Sequence, residues 1–159
     1  MSTSEPPFRA VFDCNVLLQA MASPDGPAGK CLDQARAGSI TLFLSEPIVA
    51  ELLDVSARPV LMEKLKLSPA RTQTFVEDLL TIATFVQSIP AVFSLPSDPK
   101  DAMYVDLAVA CEAHVITTRD RHLLALRDSS NPVGADFRFR FASIEVLTPV
   151  ELLRRVRGG

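Results

Sequence analysis

Two aspartates end compact apolar stretches of this chain. Asp13 follows Phe8–Phe12 (FRAVF), and Asp120 closes HVITTRD. Two further acids lie in mostly apolar helical segments, Glu51 in SEPIVAELL and Asp101 in SDPKDAMYVDLAVA. A charge so near a core is costly to bury unless it is paired. Four carboxylates gathered at one place raise one another's pKa and stay ionised together only beside a cation. Their donors are hard oxygens, and neither the two histidines (His114 and His122) nor the three cysteines show zinc-type spacing. Mg²⁺ or Mn²⁺ is therefore the expected cofactor. Such an ion polarises a phosphodiester and activates water, chemistry that suits a sequence with no evident side-chain nucleophile.

Each of these residues has a structural reading beside the chemical one. Asp13 and Asp120 also suit the N-cap of the helices that follow them, a role compatible with holding metal. Asp101 fits a first-turn acid favoured by the helix dipole. Asp98 is expected mainly as an N-cap before Pro99, with an outer contact to the metal as its second role. Glu51 is expected to face inward because its helix is largely apolar. Asn15 would orient the Asp13 carboxylate or simply position a loop. Thr118 would hydrogen-bond a phosphate or water, or only stabilise a turn. Asp106 lies five residues after Asp101, about 140° around a helix axis, and is expected on the surface.

The elements that must position these side chains read as short strands alternating with helices. Strands are expected at Phe8–Phe12, Ile40–Leu44, His114–Thr117 and Ile144–Leu147, with an extra one at Phe137–Phe141. Helices are expected from Asn15, over Pro27–Ala37 with Gly38 just beyond, and over Ile48–Val55 behind Ser45 as cap. Further helices are expected over Val60–Leu65, from Pro69 to about Val86, and over Ala102–Ala113, Arg121–Arg127 and Thr148–Val156, with 129–136 as a loop. This order predicts an α/β fold: a three-layer α/β/α sandwich around a central, mainly parallel sheet. One domain would span 1–159, with its ordered core over about 8–156. In such sheets function gathers at the carboxyl ends of the strands, and right-handed crossovers bring the Glu51 and Asp101 helices to that same edge.

Composition narrows the choice of function. The net charge is −3 over 159 residues, which disfavours tight, unspecific binding of nucleic acid by phosphate neutralisation. It is compatible with a nuclease whose carboxylates are offset by bound metal. Many of the arginines fall in the C-terminal third, where they are expected as solvated surface or as a substrate or partner rim. No apolar run reaches the ~20 residues a membrane span needs, and the N-terminal stretch lacks an export-signal pattern. Cys14, Cys31 and Cys111 read as buried free thiols, which suggests a cytoplasmic location.

The order VFDCNVLL, LSEPIVAELL, SDPKDAMYVDLAVACEAHVITTRDRHLL and LTPVELL resembles the PIN-domain family, in particular its bacterial branch of VapC-like toxins from toxin–antitoxin pairs. The resemblance runs from Phe8 to about Leu153. Asp13-Cys14-Asn15 matches the family's Asp-x-Asn at a strand end, and Glu51 its helical glutamate. Asp98-Pro99-Lys100-Asp101 matches its Asp-Pro-x-Asp, and Thr118-Arg119-Asp120 its Thr-x-Asp. The resemblance implies an endoribonuclease dependent on Mg²⁺ or Mn²⁺, commonly a homo-oligomer (dimer or higher), acting on RNA and paired with a small antitoxin protein. Cys14 stands where the family usually has threonine or serine, and 129–141 is longer than usual.

Three rivals are weighed against this reading. A haloacid-dehalogenase phosphatase also opens with a strand-end Asp, but it needs a second Asp two residues on as general acid, where this chain has Asn15. A response-regulator receiver wants adjacent acids near its first strand, and Phe12-Asp13 lacks the pair. An inactive PIN-like module binding protein or RNA would not need all four acids.

Overall fold

The computed structural model describes residues 6–158. Residues 1–5, which include part of the stretch lacking an export-signal pattern, lie outside the described residues. The chain opens with β1 (Phe8–Phe12), α1 (Cys14–Ala22), α2 (Pro27–Ala37) and β2 (Ile40–Leu44). It continues with α3 (Glu46–Ser56), α4 (Pro59–Lys64), α5 (Pro69–Ile82) and β3 (Thr84–Phe85). A 3₁₀ turn, Pro99–Asp101, leads into α6 (Ala102–Ala110), β4 (Val115–Thr117) and α7 (Arg121–Leu124). Then follow α8 (Pro132–Arg140), β5 (Glu145–Leu147) and α9 (Pro149–Gly158).

The strands form one sheet in the order β3-β2-β1-β4-β5, and every pairing is parallel. In register, Ala10 lies opposite Leu42 on one side and Val115 on the other, and Phe12 opposite Thr117. Ala10, Val11 and Phe12 are each 0% exposed. Since successive side chains of a strand point to opposite faces, both faces of the sheet are covered, as a three-layer α/β/α arrangement requires. All three cysteines are free and buried. Among the described residues no helix is long and apolar enough to cross a membrane.

Most elements lie where the residue pattern puts them; the differences are α8, the end of α5 and the placement of Asp106. Phe137–Phe141 is not a strand, and 129–136 is not wholly loop: both belong largely to α8. The Asn131 side chain accepts from the backbone N–H groups of Val133 and Gly134, and Pro132 occupies the first helical position, a strong helix start. The alternation FRFRF imitates a strand. In the helix, however, Phe137 and Phe141 are four residues apart and meet each other and Phe93 at 5.8–6.2 Å between ring centres. Phe139 is left 88% exposed. The long helix ends at Ile82 rather than near Val86, because Thr84–Phe85 turns to pair with Phe43–Leu44 as an edge strand.

The third difference is Asp106, which is not a surface group. Its Oδ1 accepts from the backbone N–H of Val92 at 2.9 Å and of Phe93 at 3.0 Å, tying the loop before α6 to the middle of that helix. Replacing it leaves two part-buried donors without a partner. Asp106→Ala is therefore expected to lower stability by about 1–3 kcal/mol, read from urea unfolding; a change below about 0.5 kcal/mol would contradict this tie.

Candidate functional site

In the order β3-β2-β1-β4-β5 the connections leave β1 and β4 in opposite directions, so the crevice beyond their carboxyl ends is the topological switch point of the sheet. Asp13 follows β1 there, and Asp120 follows β4. The backbone N–H of Asp13 donates to the Thr117 carbonyl at 3.0 Å, so the register of the sheet itself fixes its height. Asp13 is 2% exposed. Its Oδ1 accepts from the Val16 N–H at 2.9 Å, capping α1, and its Oδ2 accepts from the Thr118 hydroxyl. That hydroxyl also accepts from the Asp120 N–H at 2.9 Å. Asp120 in turn caps α7, accepting from the N–H of His122 at 2.7 Å. Capping and site formation thus coincide at both aspartates.

A cleft of about 280 Å³ opens above this edge. Asp13, Asn15, Glu51, Asp98, Asp101 and Asp120 all line it, together with Cys14, Arg58, Lys100 and Tyr104. The four acids picked out by their apolar surroundings, and Asn15 and Asp98 beside them, therefore meet at one place. Thr118 is buried and reaches the cleft only through its bonds to Asp13 and Asp120. The tightest group is Asp98, Asp101 and Asp120, which each offer an oxygen within 4.8 Å of the others. Asp13 and Glu51 stand around that trio. Asp98 does not cap: its side chain makes no bond to the turn it precedes, and it joins the acidic group instead. The backbone there already turns through the Asp101 N–H donating to the Asp98 carbonyl at 3.0 Å, so the carboxylate is not used as a cap.

The electrostatic consequence is strong. Burial, then repulsion from Asp120, Asp98 and Asp13, pushes the Asp101 carboxyl up to about 7. Burial likewise raises Asp13 to about 6, against the lowering effect of its bonds from Thr118 and Val16 and with a further push from Asp120. Asp101 Oδ2 is buried and has no hydrogen-bond partner, an unusual state for a carboxylate oxygen. Crowded oxygen donors with one orphaned acceptor fit a hard divalent cation.

Tyr104 is a contributor the residue pattern did not single out. It is the chain's only tyrosine, one turn after Asp101 on α6, and 2% exposed. Its hydroxyl accepts from the Cys14 N–H at 3.0 Å, fixing the backbone between Asp13 and Asn15. Burial, with the charges of Glu51 and Asp13, pushes the Cys14 thiol up to about 12, so it is no thiolate nucleophile near neutral pH.

A family model described as the PIN domain matches residues 9–122, most of the chain. The chain belongs to the PIN-domain family. The matched span contains Asp13, Glu51, Asp98, Asp101 and Asp120, and ends before α8, β5 and α9. The chain is similar to the uncharacterized protein MJ1680 of Methanocaldococcus jannaschii, with 25% identity over 152 residues covering 92% of this chain and 90% of the relative. Its fold is similar to that of a chain in the crystal structure of VapBC2 from Rickettsia felis bound to a DNA fragment from their promoter. The TM-score is 0.54 at 13% identity, covering 89% of this chain and 98% of that one. The α/β/α architecture is thus a PIN-like fold.

Asp13 and Asp101 hold their protons more tightly in this PIN domain than a free carboxyl near 3.8 does. Their contribution to folding is fully present below about pH 4 and is lost as pH rises through 6–7. Chelator-treated protein is expected to melt at progressively lower temperature across that window, and Asp101→Asn to flatten the decline. Equal pH slopes for wild type and variant would contradict the crowding described.

Proposed function

We propose that this chain is a metal-dependent endoribonuclease, cleaving RNA phosphodiester bonds as the toxin of a toxin–antitoxin pair. The observation that carries the reading is the buried, unpartnered Oδ2 of Asp101, set among the oxygens of Asp98 and Asp120. Asp13, Glu51, Asp101 and Asp120 are the proposed catalytic and metal-holding residues, with Asp98 completing the group. A bound Mg²⁺ or Mn²⁺ would supply Lewis acidity to a phosphodiester and make water a better nucleophile.

The chain's own residues serve this chemistry by position. The Thr118 hydroxyl joins the Asp13 carboxylate to the Asp120 backbone and holds the two strand ends at a fixed spacing. Tyr104 pins the Cys14 amide, which fixes the backbone that carries Asp13 and Asn15 against α6. The protonated Cys14 thiol leaves water as the nucleophile. These partners preorganise the acids, so little has to move when the substrate arrives. Membership of the PIN domain supports the nuclease reading. The fold shared with a chain of the VapBC2 complex supports a small antitoxin as the protein partner.

Cleavage of single-stranded RNA is expected with Mn²⁺ or Mg²⁺ and is expected to stop on adding chelator. Asp120→Asn keeps the helix cap, since asparagine caps as well as aspartate. It should therefore retain thermal stability while losing activity by a factor on the order of 10²–10³. Normal cutting by this variant, or cutting that survives chelator, would contradict the proposal. Tight binding of a small protein without any turnover would favour an inactive binding module instead.

A further inference from the structure

The cleft carries five carboxylates, those of Asp13, Glu51, Asp98, Asp101 and Asp120, against two basic groups, Arg58 and Lys100. Fully ionised, the acids outnumber the bases by three, so one divalent ion still leaves the cleft negative. An RNA strand, with one negative charge per phosphate, would be repelled from such a surface unless cations stand where its phosphates pass. The chain as a whole, at −3, has no basic excess to supply them.

The two basic groups come from separate elements and are unequally occupied. Lys100 belongs to the turn Pro99–Asp101 that leads into α6. It is exposed, and among the described residues its ammonium makes neither a hydrogen bond nor an ion pair. Arg58 occupies the cap position before α4. Its Nη2 bonds Asp54 at 3.0 Å, while its Nε and Nη1 have no partner among the described residues. Arg58 also lines the cleft beside Cys14 and Glu51, so its unpartnered donors are on the cleft side of the protein as well as near Asp54. A guanidinium with free donors and a free ammonium are the two side chains best suited to phosphate oxygens.

We infer that Arg58 and Lys100 hold phosphates of a single-stranded RNA in the acidic cleft, as positioning residues for the strand to be cut. The inference rests on the nuclease reading above and adds the substrate contacts to it. Two isolated cations suit one short strand. A duplex would need contacts across adjacent grooves, a wider footprint than the two basic groups of this cleft provide. Lys100 sits between Asp98 and Asp101 in sequence, so a phosphate on it would lie beside the acids.

The test uses a fluorescent single-stranded oligoribonucleotide. Binding to Ca²⁺-treated protein is read by anisotropy, and cleavage with Mn²⁺ by steady-state kinetics. Lys100→Ala and Arg58→Gln are each expected to weaken binding by about tenfold, with the loss falling on KM rather than kcat. Each should also reduce the slope of log affinity against log salt by about 0.7, the single-strand value for one phosphate contact. Lys100→Arg and Arg58→Lys should recover most of the binding, and Mn²⁺ titration heats of Lys100→Ala should match wild type. Because Arg58 borders α4, Lys100→Glu on the exposed turn provides a further reading, with a larger loss than alanine. If wild type cuts RNA while the variants keep its anisotropy, KM and salt slope, the inference fails and the nuclease reading stands. If Lys100→Ala loses Mn²⁺ binding, the lysine arranges the acids and the inference fails. If wild type neither binds nor cuts RNA, both fall.

Discussion

Carboxylates from four separate segments are held against their mutual repulsion at one edge of a parallel sheet. Everything distinctive about the molecule follows from that crowding. Asp13 and Asp101 rise to about 6 and 7 because burial and neighbouring acids penalise their charged forms together. One oxygen of Asp101 has no donor. An arrangement that costs folding free energy near neutral pH points to a partner of opposite charge. A hard divalent cation is the simplest group that relieves all the acids at once.

The scaffold can bear this cost because most of its core residues lie away from the cleft. The middle of β1 is buried on both faces, and four parallel pairings fix the height of the strand ends. Thr118 then couples the end of β4 to Asp13, and Tyr104 couples α6 to the turn after β1. The acids are therefore set by backbone register and buried hydrogen bonds rather than by mobile side chains. Both aspartates at strand ends also cap helices, so the same carboxylate stabilises its element and faces the cleft. This double use explains why capping and chemistry are hard to separate in the sequence.

Much of the fold and site was legible in the residue pattern because each acid interrupts an apolar segment. Asp13 and Asp120 end strands, and Glu51 and Asp101 sit on helices that a parallel topology must bring to the same edge. The role of Tyr104 was not legible, because it depends on a contact across elements that no local spacing encodes, and Arg58 and Lys100 come to the cleft only through the tertiary fold. Asp106 shows the same limit. Its angle around α6 correctly takes it away from Asp101, but only tertiary structure brings the Val92–Phe93 amides to it. Asp98 had local capping chemistry in its favour, yet the neighbouring acids claim its side chain. In α8 the period-two alternation of FRFRF competed with the Asn131-Pro132 helix start, and the start prevailed because Phe137 and Phe141 bury together on one helical face.

The central claim is that these acids need a shared divalent cation, and Mn²⁺ titration calorimetry in buffers of different ionisation enthalpy tests it most directly. Because Asp13 and Asp101 retain protons near neutrality in the metal-free protein, binding near pH 6 should be saturable and should release protons, with a smaller release near pH 8. Asp101→Asn should lose most of both the heat and the proton release. Absence of saturable binding by wild type, or identical heats from wild type and Asp101→Asn in every buffer, would contradict the account.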